Sequence, residues 1–286
     1  MTKRGAPPRP KERKGLGTLW GGKKMIAPAF ALLGSASFKP RNRLLAALPH
    51  DVLLSLRPYL KPVSLPRGRV LCEADEPLGR AYFVEAGAVS LVTVFEDGTP
   101  AEMATVGREG VVGIGILLGG EHALARYVVP VSGFAHTIET SRLRSALQAS
   151  PELRAACETY AQAFVAHLLQ NVACNAAHRA DQRCARWLLM CADQTENDTF
   201  ELTQEYLAEM LGVRRSTVTG VACALQEAGL IHYRRGAITI LDRGGLEATA
   251  CECYRIVRSG YERPLVHVVS PSRLRGREQL QLRRIG

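Results

Sequence analysis

Residues 201–241 read ELTQEYLAEMLGVRRSTVTGVACALQEAGLIHYRRGAITIL, and their pattern predicts the architecture of the C-terminal part of the chain. Thr203 is a good N-cap, and apolar residues follow it at helical spacing until Gly212, which predicts a short first helix. After a break of about three residues, the turn length of a helix-turn-helix, a second helical stripe closes at Gly229. The members of that stripe are Val218, Val221, Cys223, Ala224 and Leu225.

A basic hairpin follows the second predicted helix. Residues 230–233 and 237–241 are predicted strands, and Arg234, Arg235 and Gly236 between them predict a turn. Two helices, a tight turn and a basic hairpin form the layout of a winged helix-turn-helix. Such a unit places its second helix in the major groove of DNA.

The predicted DNA contacts lie on the leading turn of the second helix and at the hairpin tip. A helix N-terminus attracts phosphate through its free amide groups and its dipole, and arginine and hydroxyl side chains donate to phosphates or base edges. The predicted DNA-binding residues are Thr203, Arg214, Arg215, Ser216, Thr217, Thr219, Arg234 and Arg235. The alternative is a helical hairpin and β-ribbon whose arginines are merely solvated.

The net charge of +10 does not by itself indicate nucleic-acid binding. Residues 1–24 carry +7 and residues 270–286 carry +4, so residues 25–269 carry about −1. A basic tail strengthens salt-dependent attraction to polyphosphate, but it is also a common solubility feature. Only the local placement of the arginines therefore supports groove binding.

The eight cysteines form neither a dense secreted framework nor paired CxxC ligand sets. We interpret most of them as small buried hydrophobes in a reducing cytoplasm, and we predict no metal site. Two alternatives stay open. Cys251 and Cys253 could be redox-active, and Cys174, Cys184 and Cys191 could approach one another.

The two ends of the chain are basic. Residues 1–40 are rich in Lys, Arg, Pro and Gly and are predicted to be a disordered segment, and residues 261–286 a basic C-terminal tail. The apolar run at residues 25–36 leaves a signal peptide and a natural start at Met25 as alternatives. Since no stretch reaches the roughly 18 apolar residues of a membrane span, we expect a cytoplasmic protein with no membrane partner.

A β-rich domain is predicted over residues 41–150. It begins with a short helical pair at residues 41–59, and short β-rich runs separated by glycines then predict a small antiparallel barrel or roll. The predicted strands are residues 69–72, 81–85, 88–95, 102–106, 127–131 and 135–140, and residues 141–149 are a predicted helix.

A long helix is predicted from Pro151 to about Asn175, with two apolar stripes. The first stripe is Leu153, Cys157, Tyr160, Phe164 and His167, and the second is Ala161, Val165, Leu168 and Val172. One stripe can pack on the barrel while the other pairs with the same helix of a second subunit, as in a coiled coil; the alternative is a helix buried within one subunit. We interpret His167 as a packed histidine. Helices at residues 179–192 and 246–257 complete a C-terminal domain at residues 179–260.

This α+β order of parts resembles the Crp/Fnr family of bacterial transcription regulators. The resemblance runs from about Leu44 to Tyr254 and is carried by LAEMLGVRRSTVTGVACALQEAGLI, RAYFVEAGAVSLV and VGREGVVGIGILLGG. It implies a cupin-like, cyclic-nucleotide-binding-like antiparallel β-roll as sensor, a dimerisation helix at residues 151–178 and a C-terminal winged helix-turn-helix. It also implies a homodimer that binds double-stranded DNA and RNA polymerase.

Within the recognition helix, the resemblance assigns Arg215 to reading a base, and Thr217 and Val218 keep the family pattern. Ser216 stands where many members have a glutamate, and Gly220 stands where the best-known member has another arginine. We therefore do not expect the familiar operator sequence.

The sensor departs further from the nucleotide-binding members, which resemble one another in a Gly-Glu-Leu segment and an Arg-Ser/Thr-Ala segment. Here the first segment reads Val-Gly-Ile-Gly at residues 112–115, without the carboxylate, and Arg126 is followed by Tyr127. Gly113 and Arg126 are the candidate effector-binding residues, with a surface or ion-paired Arg126 as the alternative. We expect no cofactor, an unidentified effector, and weak or no affinity for cyclic AMP.

No Walker loop, GxSxG elbow or HExxH pair is present, so we predict neither catalytic residues nor an enzyme. The predicted function is a homodimeric regulator that reads pseudo-palindromic promoter sites and is switched by an effector in the β-roll. The alternative is a β-roll signalling or protein-interaction module whose winged helix is a docking surface.

Overall fold

The computed structural model describes residues 38–195 and 198–268, with side chains up to residue 262. The basic N-terminal segment up to residue 37, including Met25 and the signal-peptide alternative, lies outside the described residues. So does the tail beyond residue 268. None of the described helices is long and apolar enough to cross a membrane.

The first domain is an antiparallel β-roll. Helices α1 (Arg43–Ala46) and α2 (His50–Leu56) and a 3-10 turn (Arg57–Tyr59) precede it, as the sequence predicts. Its strands are β1 (Lys61–Leu65), β2 (Val70–Cys72), β3 (Arg80–Val94), β4 (Pro100–Val106), β5 (Val111–Val112) and β6 (Arg126–Glu139), with the short helix α3 (Ile114–Leu117) between β5 and β6. The sheet order is β1-β6-β3-β4, with β2 on β6 and β5 on β3. The predicted antiparallel roll is confirmed.

The strand boundaries correct the sequence prediction. The predicted strands at 81–85 and 88–95 form one strand, β3, and those at 127–131 and 135–140 form β6. Register shifts at Ala86 and Ala88 let the pair bend without breaking. A Cβ at Gly133 would lie 1.8 Å from the Ala86 carbonyl oxygen, and Gly87 has φ 79°, so glycine is required at the bend. Strand β1 is not predicted, because Pro62 is atypical of a strand.

The C-terminal half is largely helical. It contains α4 (Thr140–Ala149), α5 (Pro151–Ala177), α6 (Ala180–Asp193), β7 (Thr199–Glu201), α7 (Gln204–Leu211), α8 (Arg215–Glu227), β8 (Ile231–Arg234), β9 (Ala237–Ile240), α9 (Arg243–Thr249) and α10 (Cys253–Val268). The single helix predicted at 246–257 is wrong, because residues 250–252 separate α9 from α10. Helix α10 also extends to Val268, into the segment predicted as a tail.

Helix α5 is buried along one face and apolar but exposed along another. Leu153, Cys157, Tyr160, Phe164 and His167 are all buried, which confirms the first predicted stripe as a packing face. This face packs against the roll and, unexpectedly, against α10. From the second stripe, Ala161 is buried and Leu168 half-buried, whereas Val165 and Val172 are exposed together with Leu169.

A buried polar network joins α5 to its neighbours. His167 Nδ1 lies 3.1 Å from Tyr261 Oη on α10, and Asn171 Nδ2 donates to His167 Nε2 at 3.2 Å and to the Met103 carbonyl oxygen at 2.8 Å. The guanidinium of Arg186 on α6 donates to Asn171 Oδ1 at 2.6 Å. His167 is thus a packed residue, as predicted. Burial lowers its pKa to about 3, and the charge of Arg186 acts in the same direction.

The low pKa of His167 predicts acid destabilisation. The pKa of His167 in the folded chain lies below the unfolded value of about 6.5. Between these two values His167 is therefore protonated in the unfolded chain and neutral in the folded chain. The stability contributed by neutral His167 is therefore complete above pH 6.5 and falls as the pH drops towards 3. Between pH 7 and pH 5 we expect wild type to lose about 2 kcal/mol more unfolding free energy than His167→Gln, measured by urea unfolding. An equal loss in both proteins would contradict the prediction, and His232→Gln on β8 is the control.

Candidate nucleic-acid interface

Helices α7 and α8 and the hairpin β8–β9, residues 204–240, are here called the reading unit. Its first helix, α7, begins and ends where the sequence predicts. Thr203 is its N-cap, and its hydroxyl accepts a hydrogen bond from the Tyr206 amide at 3.2 Å. Gly212 closes it in the left-handed conformation with φ 62° and ψ 38°. Glycine adopts this conformation without steric cost. Leu207, Met210 and two neighbours on the same face are buried, so α7 is anchored to the core of the domain.

The second helix, α8, presents the predicted contact residues to solvent. Arg214 is its N-cap, and Arg214, Arg215, Ser216, Thr217 and Thr219 are all exposed. Val218 between them is 1% exposed and fixes the rotation of the helix. The buried stripe continues through Ala222 and Leu225. Cys223 and Ala224, which the sequence pattern includes in that stripe, are exposed instead.

The hairpin tip is a two-residue turn formed by Arg235 and Gly236. Arg234 is the last residue of β8, where it pairs with Ala237, so the predicted three-residue turn is one residue too long. Arg235 has φ 50° and Gly236 has φ 78°, which is the pattern of a type I′ hairpin. A left-handed arginine is uncommon and costs roughly 1–2 kcal/mol relative to right-handed backbone. The turn therefore holds an arginine at a position that local backbone energy does not favour.

Direct contacts make these elements one continuous surface. The Leu202 amide donates to the Gly236 carbonyl oxygen at 2.7 Å, which ties the hairpin tip to the start of α7. From α7, the side chain of Gln204 reaches α8, where its Oε1 accepts the Thr219 hydroxyl at 2.8 Å. Hairpin tip, α7 N-terminus and exposed face of α8 therefore lie side by side.

Gln204 is an interface residue that sequence reasoning missed. Its amide oxygen is taken by Thr219, so its amide nitrogen is the group left to donate outward. The same contact orients Thr219, whose hydroxyl also lies 3.0 Å from the Arg215 carbonyl oxygen. The Thr219 hydroxyl is therefore engaged in contacts within the protein, although the residue is exposed. The signal in the sequence is position alone: Gln204 is the first residue after the helix cap.

The electrostatics of this surface are one-sided. Within the described part of the chain, the guanidinium groups of Arg214, Arg215, Arg234 and Arg235 form no ion pair with a carboxylate, whereas Arg144, Arg243 and Arg258 each do. Arginines without internal partners keep their donors available for an external anion. The surface can accept a polyanion along α8 and the hairpin.

The two candidate effector residues of the roll lie in different settings. Gly113 is buried at the start of α3 with φ 111°, and a Cβ there would approach Ile116 Cδ1 at 3.2 Å. Arg126, at the start of β6, donates through Nε to Glu73 Oε2 at 2.7 Å. Arg126 is therefore ion-paired in this structure, and its role as an effector-binding residue stays a prediction. The adjacent Tyr127 is a polar residue that the sequence did not suggest: its side chain is buried, and burial raises the pKa of its hydroxyl to about 12.

Most of the cysteines are buried, as the sequence predicts, but the pairs that they form differ from one of the predicted alternatives. Six are buried, Cys72 is half-buried and Cys223 is exposed. Cys174 meets Cys251, with 3.5 Å between the sulfur atoms, and Cys253 lies beside them. The alternative in which Cys174 approaches Cys184 and Cys191 is not what the structure shows, since both lie in the core of the C-terminal domain.

Comparison with known proteins finds two family models that match separate parts of the chain. Residues 62–149 match the family model for the cyclic nucleotide-binding domain, and residues 182–249 match that for the Crp-like helix-turn-helix domain. The chain belongs to the Crp/Fnr family of transcription regulators. It is a DNA-binding transcription regulator with a winged helix-turn-helix.

Individual relatives agree with this assignment. The global nitrogen regulator of Synechococcus elongatus is 29% identical over 192 residues, which cover 62% of this chain and 83% of that protein. A Crp/Fnr family regulator of Thermus thermophilus is 25% identical with a TM-score of 0.54, covering 66% of this chain and 98% of that one. FixK2 of Bradyrhizobium japonicum, at 18% identity and a TM-score of 0.58, shares the fold and covers 67% and 98% of the two chains.

The strained hairpin tip allows a clean test of the wing. We expect Arg235→Gly to keep the type I′ turn, to leave the melting temperature unchanged or higher, and to weaken binding to all DNA sequences alike. The slope of log K against log salt should flatten by about 0.9 for each bound subunit, as for the loss of one phosphate contact per half-site. Fluorescence anisotropy at several salt concentrations measures this, and Arg235→Lys is the control that keeps the charge. An unchanged slope in Arg235→Gly would show that Arg235 does not contact the backbone of DNA.

Proposed function

We propose that this regulator works as a homodimer that reads pseudo-palindromic promoter sites with the first turn of α8 and grips the flanking backbone with the wing. The observation that carries the proposal is the continuous surface of exposed arginines on α8 and the hairpin, which form no ion pair with any carboxylate that the structure describes. The proposal assigns no catalytic step to the chain, which belongs to a family of regulators. It places the protein in the cytoplasm, with promoter DNA and RNA polymerase as partners.

The contacts divide into base reading and positioning. Arg215 lies in the first turn of α8, where a helix in the major groove approaches base edges, and a guanidinium there binds guanine in a bidentate manner. Arg214, Ser216 and Thr217 surround it. Thr203 and Gln204 at the start of α7, with Arg234 and Arg235 in the wing, suit phosphates on either side. Specificity then rests on few side chains.

Footprinting of promoter DNA with single variants tests this division. Arg215→Ala should cost about 1–3 kcal/mol per half-site and relax specificity at one base pair. Arg234→Ala should weaken binding equally on all sequences. The matched control is Arg142→Ala, which removes the same charge from α4 in the sensor domain, and we expect it to bind as wild type does. If Arg215→Ala folds and protects the same site equally well, α8 does not read DNA and the surface is a protein-docking site.

The exposed face of α5 supports homodimerisation. Val165, Leu169 and Val172 follow one another at 4-3 spacing and are 44%, 66% and 65% exposed. An apolar seam with this spacing is what a coiled-coil partner covers. A two-fold axis along α5 would present two α8 helices to successive major grooves about 34 Å apart, which requires operators with two related half-sites.

Replacing the centre of this seam tests the dimer. Leu169→Glu places two carboxylates at the proposed interface and should weaken the dimer by about 3 kcal/mol, or roughly 100-fold. Sedimentation equilibrium measures the change. Leu54→Glu, at an exposed leucine on α2, is the control and should sediment as wild type does. A wild-type protein that is monomeric at micromolar concentration would contradict the proposal that α5 forms a dimer interface.

For the sensor, we infer an effector that is not cyclic AMP. Support comes from Arg126, whose guanidinium is already bound to Glu73, and from Ile114, which stands buried where the family's nucleotide-binding members carry a glutamate. A contact between the roll and the C-terminal domain supports the proposal that an effector signal reaches the DNA-binding helices. Glu102 on β4 accepts hydrogen bonds from Ser90 and from Trp187 Nε1 on α6, the latter at 2.6 Å. A shift of β4 would therefore move α6.

A further inference from the structure

Four metal-binding side chains meet where α5 ends and α10 begins. Cys174 and His178 come from the last turn of α5 and the residue that follows it, so the spacing of four places them on one face. Cys251 lies in the link between α9 and α10, and Cys253, on the other side of Glu252, is the first residue of α10. The Sγ atoms of the cysteines and a ring nitrogen of His178 all lie within 4.8 Å of one another.

The distances between the ligand atoms fit a tetrahedral metal site better than a disulfide bond. Cys174 Sγ and Cys251 Sγ are 3.5 Å apart, as are Cys253 Sγ and His178 Nδ1. With Zn–S bonds of about 2.3 Å, two sulfur ligands of one zinc ion lie roughly 3.8 Å apart. A disulfide needs about 2.05 Å between sulfurs. These two separations are therefore close to the edge length of a zinc tetrahedron, and all four ligand atoms lie within 4.8 Å of one another.

The surrounding groups are those that support metal ligands. Glu252 Oε2 lies 3.3 Å from His178 Nε2, which holds the imidazole and leaves Nδ1 directed at the cysteines. A carboxylate on the far nitrogen of a ligating histidine is the usual outer partner. Gln170 Nε2 donates to Cys253 Sγ at 3.0 Å, as amides do to thiolates. The buried guanidinium of Arg186 adds a positive charge close to Cys174 and Cys251.

We propose that Cys174, His178, Cys251 and Cys253 bind one zinc ion. Three thiolates and an imidazole complete the four-coordinate shell, which leaves no open position for a substrate and makes the site structural. Binding releases the thiol protons, and the complex of Zn²⁺ with three thiolates carries one negative charge, which Arg186 offsets. The ion joins the start of α10 to the end of α5, next to residues 178–179, which connect α5 to α6.

Metal content of the full-length protein tests the proposal directly. Protein purified under reducing conditions without chelator should contain about one zinc per chain by inductively coupled plasma mass spectrometry. Protein stripped of metal in the presence of reductant should bind one equivalent of Co²⁺, with the visible bands of tetrahedral cobalt and a thiolate charge-transfer band. Less than about a tenth of an equivalent of zinc, together with no cobalt spectrum, overturns the proposal.

Variants locate the ion. Cys251→Ala and His178→Ala should each reduce bound zinc at least tenfold and lower the melting temperature, whereas Cys223→Ala, at the exposed cysteine of α8, should keep full occupancy. Cys184→Ala, a buried cysteine outside the site, controls for loss of packing and should also retain zinc. Zinc that survives both Cys251→Ala and His178→Ala is bound elsewhere and overturns the assignment. So does reduced, metal-free protein that on air oxidation forms a Cys174–Cys251 disulfide and never takes up cobalt.

Discussion

Helix α5 carries the central constraint of this structure, because the roll and α10 both pack against it. At 27 residues it spans about 40 Å. Its buried face holds the roll and α10, and the polar network through His167 and Asn171 fixes its rotation. Since the network leaves little freedom to turn, the opposite face with Val165, Leu169 and Val172 has one orientation. The dimer axis that we propose follows from that orientation.

The reading unit inherits its position from the same helix. Only residues 178–179 separate α5 from α6, and both have extended backbone, so α6 starts at a fixed angle. The domain is then held on the roll by apolar contact, because Ala88, Val92 and Val131 belong to the same buried cluster as its own core. Glu102 and Trp187 add a directional hydrogen bond at that boundary. Apolar packing and the Glu102–Trp187 hydrogen bond therefore both join the C-terminal domain to the roll, and the second of them runs through β4.

Local rules predict the elements of this fold, and long-range contacts decide what they touch. The caps at Thr203 and Gly212, the buried Val218 and the exposed arginines follow from spacing and turn chemistry, which act within a few residues. The merging of two predicted strands into β3 depends on a bend that β6 shares, so periodicity alone could not show it. The Cys174–His178–Cys251–Cys253 cluster joins residues more than 70 positions apart without a CxxC pattern. The Gln204–Thr219 contact is likewise a product of how α7 crosses α8.

The proposed DNA contact also accounts for Gly220. Glycine inside an exposed helix costs about 1 kcal/mol relative to alanine, and a Cβ at Gly220 would meet no protein atom within 4 Å. Packing within the chain therefore does not require glycine there. Position 220 lies one turn beyond Ser216 and five residues beyond Arg215, on the face that carries the contact residues. A helix without a side chain at that point can lie closer to a groove wall, which brings the first-turn side chains nearer to the base edges. The absence of the family's second arginine and the reliance on Arg215 are then two consequences of one close approach.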